Sequence, residues 1–344
     1  MPFSPIEPQM GAPDHLLAVA ERLCGEEVVA ATICGGGANN QVYRIQTVAG
    51  VFAMKSYGSV ELDDRDRLGH EFDGVRFLKS FGIGKALPNA LAVDRDERCA
   101  LYEWIEGKPA LDHDRADIVA VLELMAAMHA ARLAVGAESM PEATEAVLRP
   151  ADLESQIARR LERLATVSPG EPELAAFLTD ELRPELGRRV ARYRLRMFET
   201  LPAARRTLSP SDFGFHNALR RPDGTLCFLD FEYFGWDDPA KLVSDFLLHP
   251  GMTLSKVAQE SFMEGAAALY GADEDFLPRL AASFPLYGIR WVLIMLNEFL
   301  PQLWKRRAFS GKGRDWEGAK RAQLHKARAK LDVLRSYLEG HPAT

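Results

Sequence analysis

The segment SPSDFGFHNALRRPDGTLCFLDFEYFGWDDP, residues 209–239, carries the strongest chemical pattern in the chain. Asp212 and Asn217 lie five positions apart in a turn-rich stretch, and Pro222-Asp223-Gly224 predicts a hairpin turn. Asp230 follows within the apolar predicted strand TLCFLDFE. A hairpin at this turn would bring Asn217 and Asp230 side by side at its open end.

Three polar side chains of this segment match what phosphoryl transfer requires. A carboxylate, here that of Asp212, orients the attacking hydroxyl group and accepts its proton. An amide oxygen and a second carboxylate, from Asn217 and Asp230, hold the Mg²⁺ that bridges the phosphates of ATP. Each residue has an ordinary alternative, because aspartate and asparagine are common in turns and aspartate also caps helices. Their joint spacing favours the chemical interpretation.

The segment resembles the aminoglycoside phosphotransferase and choline kinase family, which shares the fold of protein kinases. That family's pattern is H-G-D-x-x-x-x-N, then an apolar strand ending in D-[WF]-E, then G-D-P. The matching stretches here are PSDFGFHN, LDFE and WDDP. The resemblance implies that Asp212 is the catalytic base and that Asn217 and Asp230 are metal ligands.

The loop departs from the family pattern at Pro210 and Ser211, which replace a histidine and a glycine. The family histidine supports the loop and takes no part in the chemistry, so the predicted reaction is retained and the substrate is left open. His216 precedes Asn217, where many family members have glycine. We interpret it as a structural hydrogen-bonding residue, with a substrate contact as the alternative.

The order of predicted elements indicates an α+β, two-lobed protein-kinase-like fold. Its small antiparallel β lobe, residues 1–105, would bind the nucleotide, and its mainly helical lobe, residues 106–344, would hold the catalytic loop and the acceptor site. The predicted elements are a helix over 14–24 capped by Asp14, a β-meander over 27–56, a helix over 63–80, strands around 90–94 and 98–104, helices over 114–132, 152–165 and 171–201, a hairpin within 208–235, and helices from about 240.

A glycine-rich run, Gly35-Gly36-Gly37-Ala38-Asn39-Asn40, lies between two of the predicted strands. Glycines let backbone N–H groups approach phosphates, although a plain hairpin turn explains such a run better in isolation. Lys55 lies in the following strand, VFAMKSY, and a buried lysine needs a partner. Glu71 is the candidate, and a strand lysine held by a helix glutamate is the kinase arrangement. The alternatives are a snorkelling edge-strand lysine, a solvated Glu71, and Glu61 as the partner.

The stretch CALYEWIEGKPA, residues 99–110, resembles the hinge of the family. In the family's hinge, main-chain groups bind adenine, and the resemblance implies that Glu103 and Ile105 supply these groups here. The alternative is an ordinary strand end followed by a glycine turn. Met128-His129 also matches a family position. We interpret His129 as a structural residue that packs the end of its helix against the predicted catalytic loop.

Several residues are weaker candidates for contact with the acceptor. Glu232, Asp237 and Asp238 can form an acidic pocket for a cationic acceptor or cap the next helix. Arg290 and Trp291, in an apolar predicted helix, can line the acceptor pocket, but core packing explains most of that helix.

Bulk properties argue against several classes of protein. The net charge of −7 disfavours a nucleic-acid binder, and the four cysteines lack zinc spacing. No signal peptide is recognisable, and the most apolar run, WVLIML, is too short to span a membrane. We therefore predict a cytoplasmic kinase, monomeric or homodimeric, that uses ATP and Mg²⁺ to phosphorylate a hydroxyl group of a sugar, an amino alcohol or an aminoglycoside. A regulatory pseudokinase that only binds nucleotide is the alternative.

Overall fold

The structure is a computed structural model, and it describes residues 12–36, 40–58, 65–111, 113–194, 200–304 and 315–339. The chain forms two compact units. Unit 1 comprises Met1–Thr144, Thr207–Trp236 and Gly251–Gly265, and unit 2 comprises Glu145–Arg206, Asp237–Pro250 and Ala266–Thr344. The units alternate along the chain, and the predicted division into lobes at residue 105 stays a prediction.

A five-stranded antiparallel sheet forms the first part of unit 1, with the strand order β1-β2-β3-β5-β4. The strands are β1 (Val28–Gly36), β2 (Asn40–Thr47), β3 (Val51–Tyr57), β4 (Ala90–Asp94) and β5 (Cys99–Glu103). The predicted meander and the two further strands are present. Because β3 is the central strand, Lys55 does not lie on a sheet edge, which removes the snorkelling alternative.

Each face of this sheet is covered by one helix. Helix α1 (Asp14–Cys24) packs on the face that includes Ile45, Met54 and Leu101. Helix α2 (Arg67–Ser80) packs through Leu68 and Phe72 on the face that includes Tyr57, Ala100 and Tyr102. Since side chains alternate along a strand, Lys55 lies on the face opposite to Met54, which is the α2 face.

The helix starts refine the sequence predictions. The cap position of α1 is Pro13, without a side-chain cap, so the prediction that Asp14 caps this helix is wrong. Asp14 is the first helical residue, where its negative charge still suits the helix dipole. Helix α2 begins at Arg67, because the side chain of Asp66 accepts the Gly69 N–H and caps it there.

The rest of unit 1 surrounds the segment 209–236. Helix α3 (Arg115–Ala131) carries a capping box between Asp114 and Asp117. The predicted hairpin is present, and its turn contains Gly224 at a φ of 84°, a conformation that favours glycine. The short strands are β6 (Lys108–Pro109), β8 (Ala218–Arg220) and β9 (Leu226–Phe228) in one sheet, and β7 (Thr207–Ser209) and β10 (Gly235–Asp237) in another.

Unit 2 is built mainly from helices around one apolar core. Its helices are α4 (Pro150–Val167), α5 (Pro172–Ala176), α6 (Arg183–Arg194), α7 (Pro239–Leu248), α9 (Phe276–Met295) and α10 (Trp316–Glu339), while α8 (Lys256–Leu269) has residues in both units. A π-helical stretch, Phe177–Leu182, joins α5 to α6. The single predicted helix over 171–201 is therefore wrong in detail, and Leu201 is not helical.

Helix α9 is the most apolar helix among the described residues. Together with the turn that follows, Phe276–Phe299 is long and apolar enough to cross a bilayer by length and composition. However, 78% of its apolar stretch is buried within the structure. Core helices pass the same test, so the segment is weak evidence of a membrane span.

Arg290 and Trp291 serve a buried network within unit 2. The Trp291 indole Nε1 donates to Asp245 Oδ1 at 2.9 Å, and Arg290 donates to the same carboxylate and to Gln156 Oε1. Since both residues are buried and these polar groups bind protein groups, the structure supports core packing for them.

His129 joins α3 to β7, because its Nδ1 lies 3.1 Å from Thr207 Oγ1. Burial, with a smaller effect of the Arg132 charge, lowers the pKa of His129 from 6.5 to about 4. The imidazole is therefore neutral at physiological pH. This contact with the strand that precedes Asp212 agrees with a structural role.

This lowered pKa predicts a loss of stability in mild acid. Between pH 6.5 and pH 4 the unfolded chain binds a proton at position 129 that the folded chain does not, so the free energy of unfolding falls as the pH drops. The expected fall from this site is roughly 2 kcal/mol. Urea denaturation across this window should show a smaller fall for His129→Gln; equal falls would show that His129 is not responsible.

Candidate active site

Lys55 lies among three carboxylates in unit 1. Its Nζ is 2.6 Å from Glu71 Oε2, 2.5 Å from Asp230 Oδ1 and 3.8 Å from Glu232 Oε2. Burial alone would lower the pKa of Lys55, but the carboxylates of Asp230, Glu71 and Glu232 outweigh it and hold that pKa well above its usual range. The ammonium group is therefore charged at neutral pH and holds the cluster together.

Glu71 reaches Lys55 because both lie between the sheet and α2. On α2, Leu68, Glu71, Phe72 and Val75 are buried with the three- and four-residue spacing of one helix face. Glu71 is therefore not solvated, and the structure brings it to Lys55 as its partner. Burial raises the pKa of Glu71 to about 6, against the opposing effect of Lys55. The alternative partner, Glu61, lies outside the described residues.

Two tyrosines that the sequence analysis missed hold Glu71. The Tyr57 hydroxyl donates to Glu71 Oε2 at 2.8 Å, and the hydroxyls of Tyr57 and Tyr102 are 3.0 Å apart. Burial raises both tyrosine pKa values well above the usual range, so both hydroxyls keep their protons. Tyr57 lies two residues after Lys55 on the same strand, and this spacing was the available signal.

Glu232 is a second centre of polar contacts. Arg67, from the first turn of α2, donates to Glu232 Oε1, and Asn40 Nδ2 donates to Glu232 Oε2 at 2.7 Å. Arg67 also lies over the Tyr233 ring, 4.7 Å from its centroid. The sequence analysis missed Arg67, since nothing local links it to position 232. Because Glu232 is buried and paired with arginine, it does not supply an open acidic pocket.

The predicted glycine-rich run is described only at its two ends. Gly35 and Gly36 end β1, and Asn40 begins β2. Gly37 lies outside the described residues. The structure brings Asn40 to Glu232, and contacts of these residues with phosphates stay a prediction.

Asp237 and Asp238, in unit 2, also bind cationic protein groups. Asp238 accepts the Ala240 N–H as the cap of α7 and forms an ion pair with Arg279. Asp237 pairs with Lys241 at 2.7 Å. The helix-capping alternative therefore describes Asp238, and neither residue forms an open acidic pocket.

The loop between β7 and β8 carries Asp212. Ser211 has a φ of 62°, in the left-handed region where glycine is favoured, which gives a physical reason for the family's glycine at this position. The Asp212 N–H donates to Pro210 O at 2.8 Å, and Asn217 Nδ2 donates to Asp212 O at 2.9 Å. These two hydrogen bonds hold the main-chain N–H and the main-chain carbonyl group of Asp212 in place.

Asn217 and Asp230 flank the open end of the hairpin. Ala218 pairs with Phe228, and the Leu229 N–H donates to Asn217 O at 2.8 Å, so Asp230 directly follows the last paired residue. Asp230 has a φ of 66°, a strained conformation for a residue other than glycine.

These two residues fit the donor set of a magnesium site. The Asn217 Nδ2 group already donates within the loop, which leaves its Oδ1 for a cation. Asp230 adds carboxylate oxygens, and Mg²⁺ prefers oxygen ligands. The separation of the two side chains and their role as metal ligands stay a prediction.

His216 forms a hydrogen bond within the loop, in agreement with its interpretation as a structural hydrogen-bonding residue. Its Nε2 lies 3.0 Å from Asp212 Oδ1. Gly214 leaves room for the neighbouring side chains, because a Cβ at that position would lie 2.4 Å from Met252 Sδ and 3.0 Å from His216 Nδ1.

The predicted hinge follows β5. The Glu103 N–H donates to Asn89 O at 2.9 Å, and Asn89 Nδ2 donates to the Glu103 side chain. Ile105 is buried in the irregular segment after the strand. The Glu103 amide thus serves the protein's own backbone, and the adenine contacts of these two residues stay a prediction.

The sequence model of the APH phosphotransferase enzyme family matches residues 30–280. The chain belongs to this family. The predicted family is thereby confirmed, and so is the prediction that the protein is a phosphotransferase enzyme. No curated protein matches the sequence.

Several solved structures of phosphotransferases and kinases share the fold of the chain. Spectinomycin phosphotransferase APH(9)-Ia, in complex with ADP and spectinomycin, superposes with a TM-score of 0.59 at 12% identity, covering 95% of this chain and 99% of that one. Choline kinase LicA from Streptococcus pneumoniae superposes with a TM-score of 0.55 at 17% identity, covering 93% of this chain and 100% of that one. APH(2")-IIa in complex with gentamicin superposes with a TM-score of 0.58 at 12% identity, covering 94% of this chain and 97% of that one. At such identities the likeness shows the fold, and it confirms the predicted kinase-like architecture.

Proposed function

We propose that this phosphotransferase moves the γ-phosphoryl group of ATP onto a hydroxyl group of a small molecule. The observation that carries the proposal is the contact of Lys55 with Asp230, because these residues are 175 positions apart and nothing local requires them to meet. The same lysine binds Glu71, and the Asp212 loop belongs to the same compact unit. A lysine, a helix glutamate and a hairpin aspartate so arranged match the needs of phosphoryl transfer.

The proposed reaction relies on positioning and charge. Lys55 binds phosphate oxygens of ATP, and Asp212 orients the acceptor hydroxyl and takes its proton as the acceptor oxygen bonds to the γ-phosphorus. The bond between that phosphorus and the bridging oxygen breaks, and ADP leaves. Bound Mg²⁺, held by Asn217 and Asp230, would neutralise phosphate charge. Gly35, Gly36, Gly37, Asn40, Glu103 and Ile105 complete the proposed nucleotide site.

The acceptor is proposed from the charges of the described acidic residues. The neighbouring proteins are named for aminoglycosides and for choline, which carry positive charge. In this chain, Glu232, Asp237 and Asp238 are paired with Arg67, Lys241 and Arg279 respectively. Because these carboxylates are already neutralised, we favour an uncharged sugar hydroxyl over a cationic acceptor.

A screen for acceptor-dependent ADP release tests the proposed function. Purified protein is supplied with Mg²⁺-ATP and with single sugars, amino alcohols and aminoglycosides. We expect at least one hydroxyl compound to raise ADP release and to appear as its phosphate ester. Tight ATP binding without ADP release for any acceptor would contradict the proposal and match the pseudokinase alternative.

The metal assignment predicts a complete dependence on a divalent cation. We expect an excess of chelator to stop ADP release and added Mg²⁺ to restore it. Asn217→Ala should raise the Mg²⁺ concentration needed for half-maximal turnover by about tenfold, since loss of one hydrogen-bonding or ligand group costs on the order of 1.4 kcal/mol. Asp223→Asn, in the exposed hairpin turn, is the matched control. Turnover that survives full chelation would rule the site out.

A further inference from the structure

His216 lies beside the proposed catalytic base. Its Nε2 is 3.0 Å from Asp212 Oδ1, within hydrogen-bond distance. An ionised carboxylate can only accept hydrogen bonds, so the imidazole is the donor. The side chains of His216 and Asp212 are 15% and 32% exposed, and a hydrogen bond in such a partly buried place is stronger than one in water.

Contacts within the loop act on both the main chain and the carboxylate of Asp212. The contacts of the Asp212 N–H with Pro210 and of the Asp212 carbonyl with Asn217 restrain the backbone. The contact with His216 acts on the carboxylate itself, so it restrains the rotation that aims the base.

The imidazole is in turn placed by close packing. A Cβ on Gly214 would lie 3.0 Å from His216 Nδ1, so the ring sits directly against the loop backbone. The neighbouring Phe215 is buried and stacks on His113 with ring centroids 4.4 Å apart, and its N–H contacts Met252 Sδ. These contacts fix the short turn that carries the imidazole.

We propose that His216 is a positioning residue for Asp212. By donating to Oδ1 it turns the second carboxylate oxygen of Asp212 toward the acceptor hydroxyl, and it neither gains nor loses a proton in the reaction. The inference rests on the proposed function, since it assumes that Asp212 is the base. Pro210 has no side-chain hydrogen-bond donor. In this loop the imidazole that contacts Asp212 belongs to His216, the residue that precedes Asn217.

A pair of variants with side chains of similar length tests the hydrogen bond. His216→Gln keeps an N–H donor, and His216→Met is apolar. Misplacement of a catalytic group by about 1 Å can cost 10²-fold, so we expect His216→Met to lower kcat by about 10–100-fold with the KM for ATP nearly unchanged. His216→Gln should keep kcat within about fivefold. ADP release is measured with an acceptor from the screen or with water as the attacking group.

Controls separate positioning from folding. His325 is exposed on α10, and the same two substitutions there should leave kcat unchanged. His216→Phe, which is closer in volume to histidine, serves as the second apolar variant if His216→Met proves unstable in thermal melts. Equal kcat values for the glutamine variant and a folded apolar variant would overturn the proposal, because only the donor distinguishes them.

A double variant shows whether His216 acts through Asp212. In the Asp212→Asn background we expect His216→Met to cause no further loss, because the base it aims is already absent. A further loss equal to that of the single variant would assign His216 an independent role and overturn the proposal. Near-normal turnover of Asp212→Asn alone would instead refute the base that the proposed function assigns to Asp212, which makes the two failures distinguishable.

Discussion

Asp212→Asn is expected to lower turnover by about 10²–10⁴-fold, the usual cost of removing a positioned general base. Asparagine retains the size of aspartate but cannot accept the proton of the acceptor hydroxyl. ATP should still bind with nearly unchanged affinity, because the proposed nucleotide contacts come from the sheet, the glycine-rich run and Lys55. Acceptor-dependent ADP release and equilibrium binding of ATP measure the two quantities separately.

One result would contradict the role of Asp212 as the base. A variant that turns over the true acceptor at nearly the normal rate would show that another group takes the proton or that none is needed. Asp223→Asn provides the comparison for a neutralised aspartate in the same segment, since Asp223 lies in the exposed turn and pairs with Lys85. We expect no change in its turnover.

Lys55→Met is expected to affect both turnover and stability. Loss of a charged donor that stabilises the transferring phosphoryl group costs about 10²–10³-fold in kcat. The substitution also leaves Glu71 buried without its cation, and breaking a buried pair on one side typically costs about 3–5 kcal/mol. We therefore expect a large fall in the free energy of unfolding together with the loss of turnover.

A second substitution separates these two effects. Glu71→Gln in the Lys55→Met background removes the buried charge while keeping an oxygen that accepts from Tyr57. The free energy of unfolding should recover much of its loss, whereas turnover should not, because the phosphates still lack their cation. A stable double variant with normal turnover would contradict the role of Lys55 at the phosphates.

The sequence determined the element types and the chemical segment. Stretches rich in β-forming residues predicted the strands, and Pro222-Asp223-Gly224 predicted a hairpin with the polar groups of Asn217 and Asp230 at its open end. The requirement that a buried lysine has a counter-charge predicted a partner for Lys55, with Glu71 as the candidate and Glu61 as an alternative. Such local rules work because strand and helix periodicities and turn residues act over a few positions.

The tertiary structure alone decided the partners of most polar groups. Arg67 and Asn40 meet at Glu232, and Tyr102 meets Tyr57 beside Glu71, although no spacing in the sequence links the two members of either pair. The choice depends on strand register and on the rotation of α2 against the sheet, which are settled by packing of the whole unit. A shift of one residue in register would turn each of these strand side chains to the opposite face.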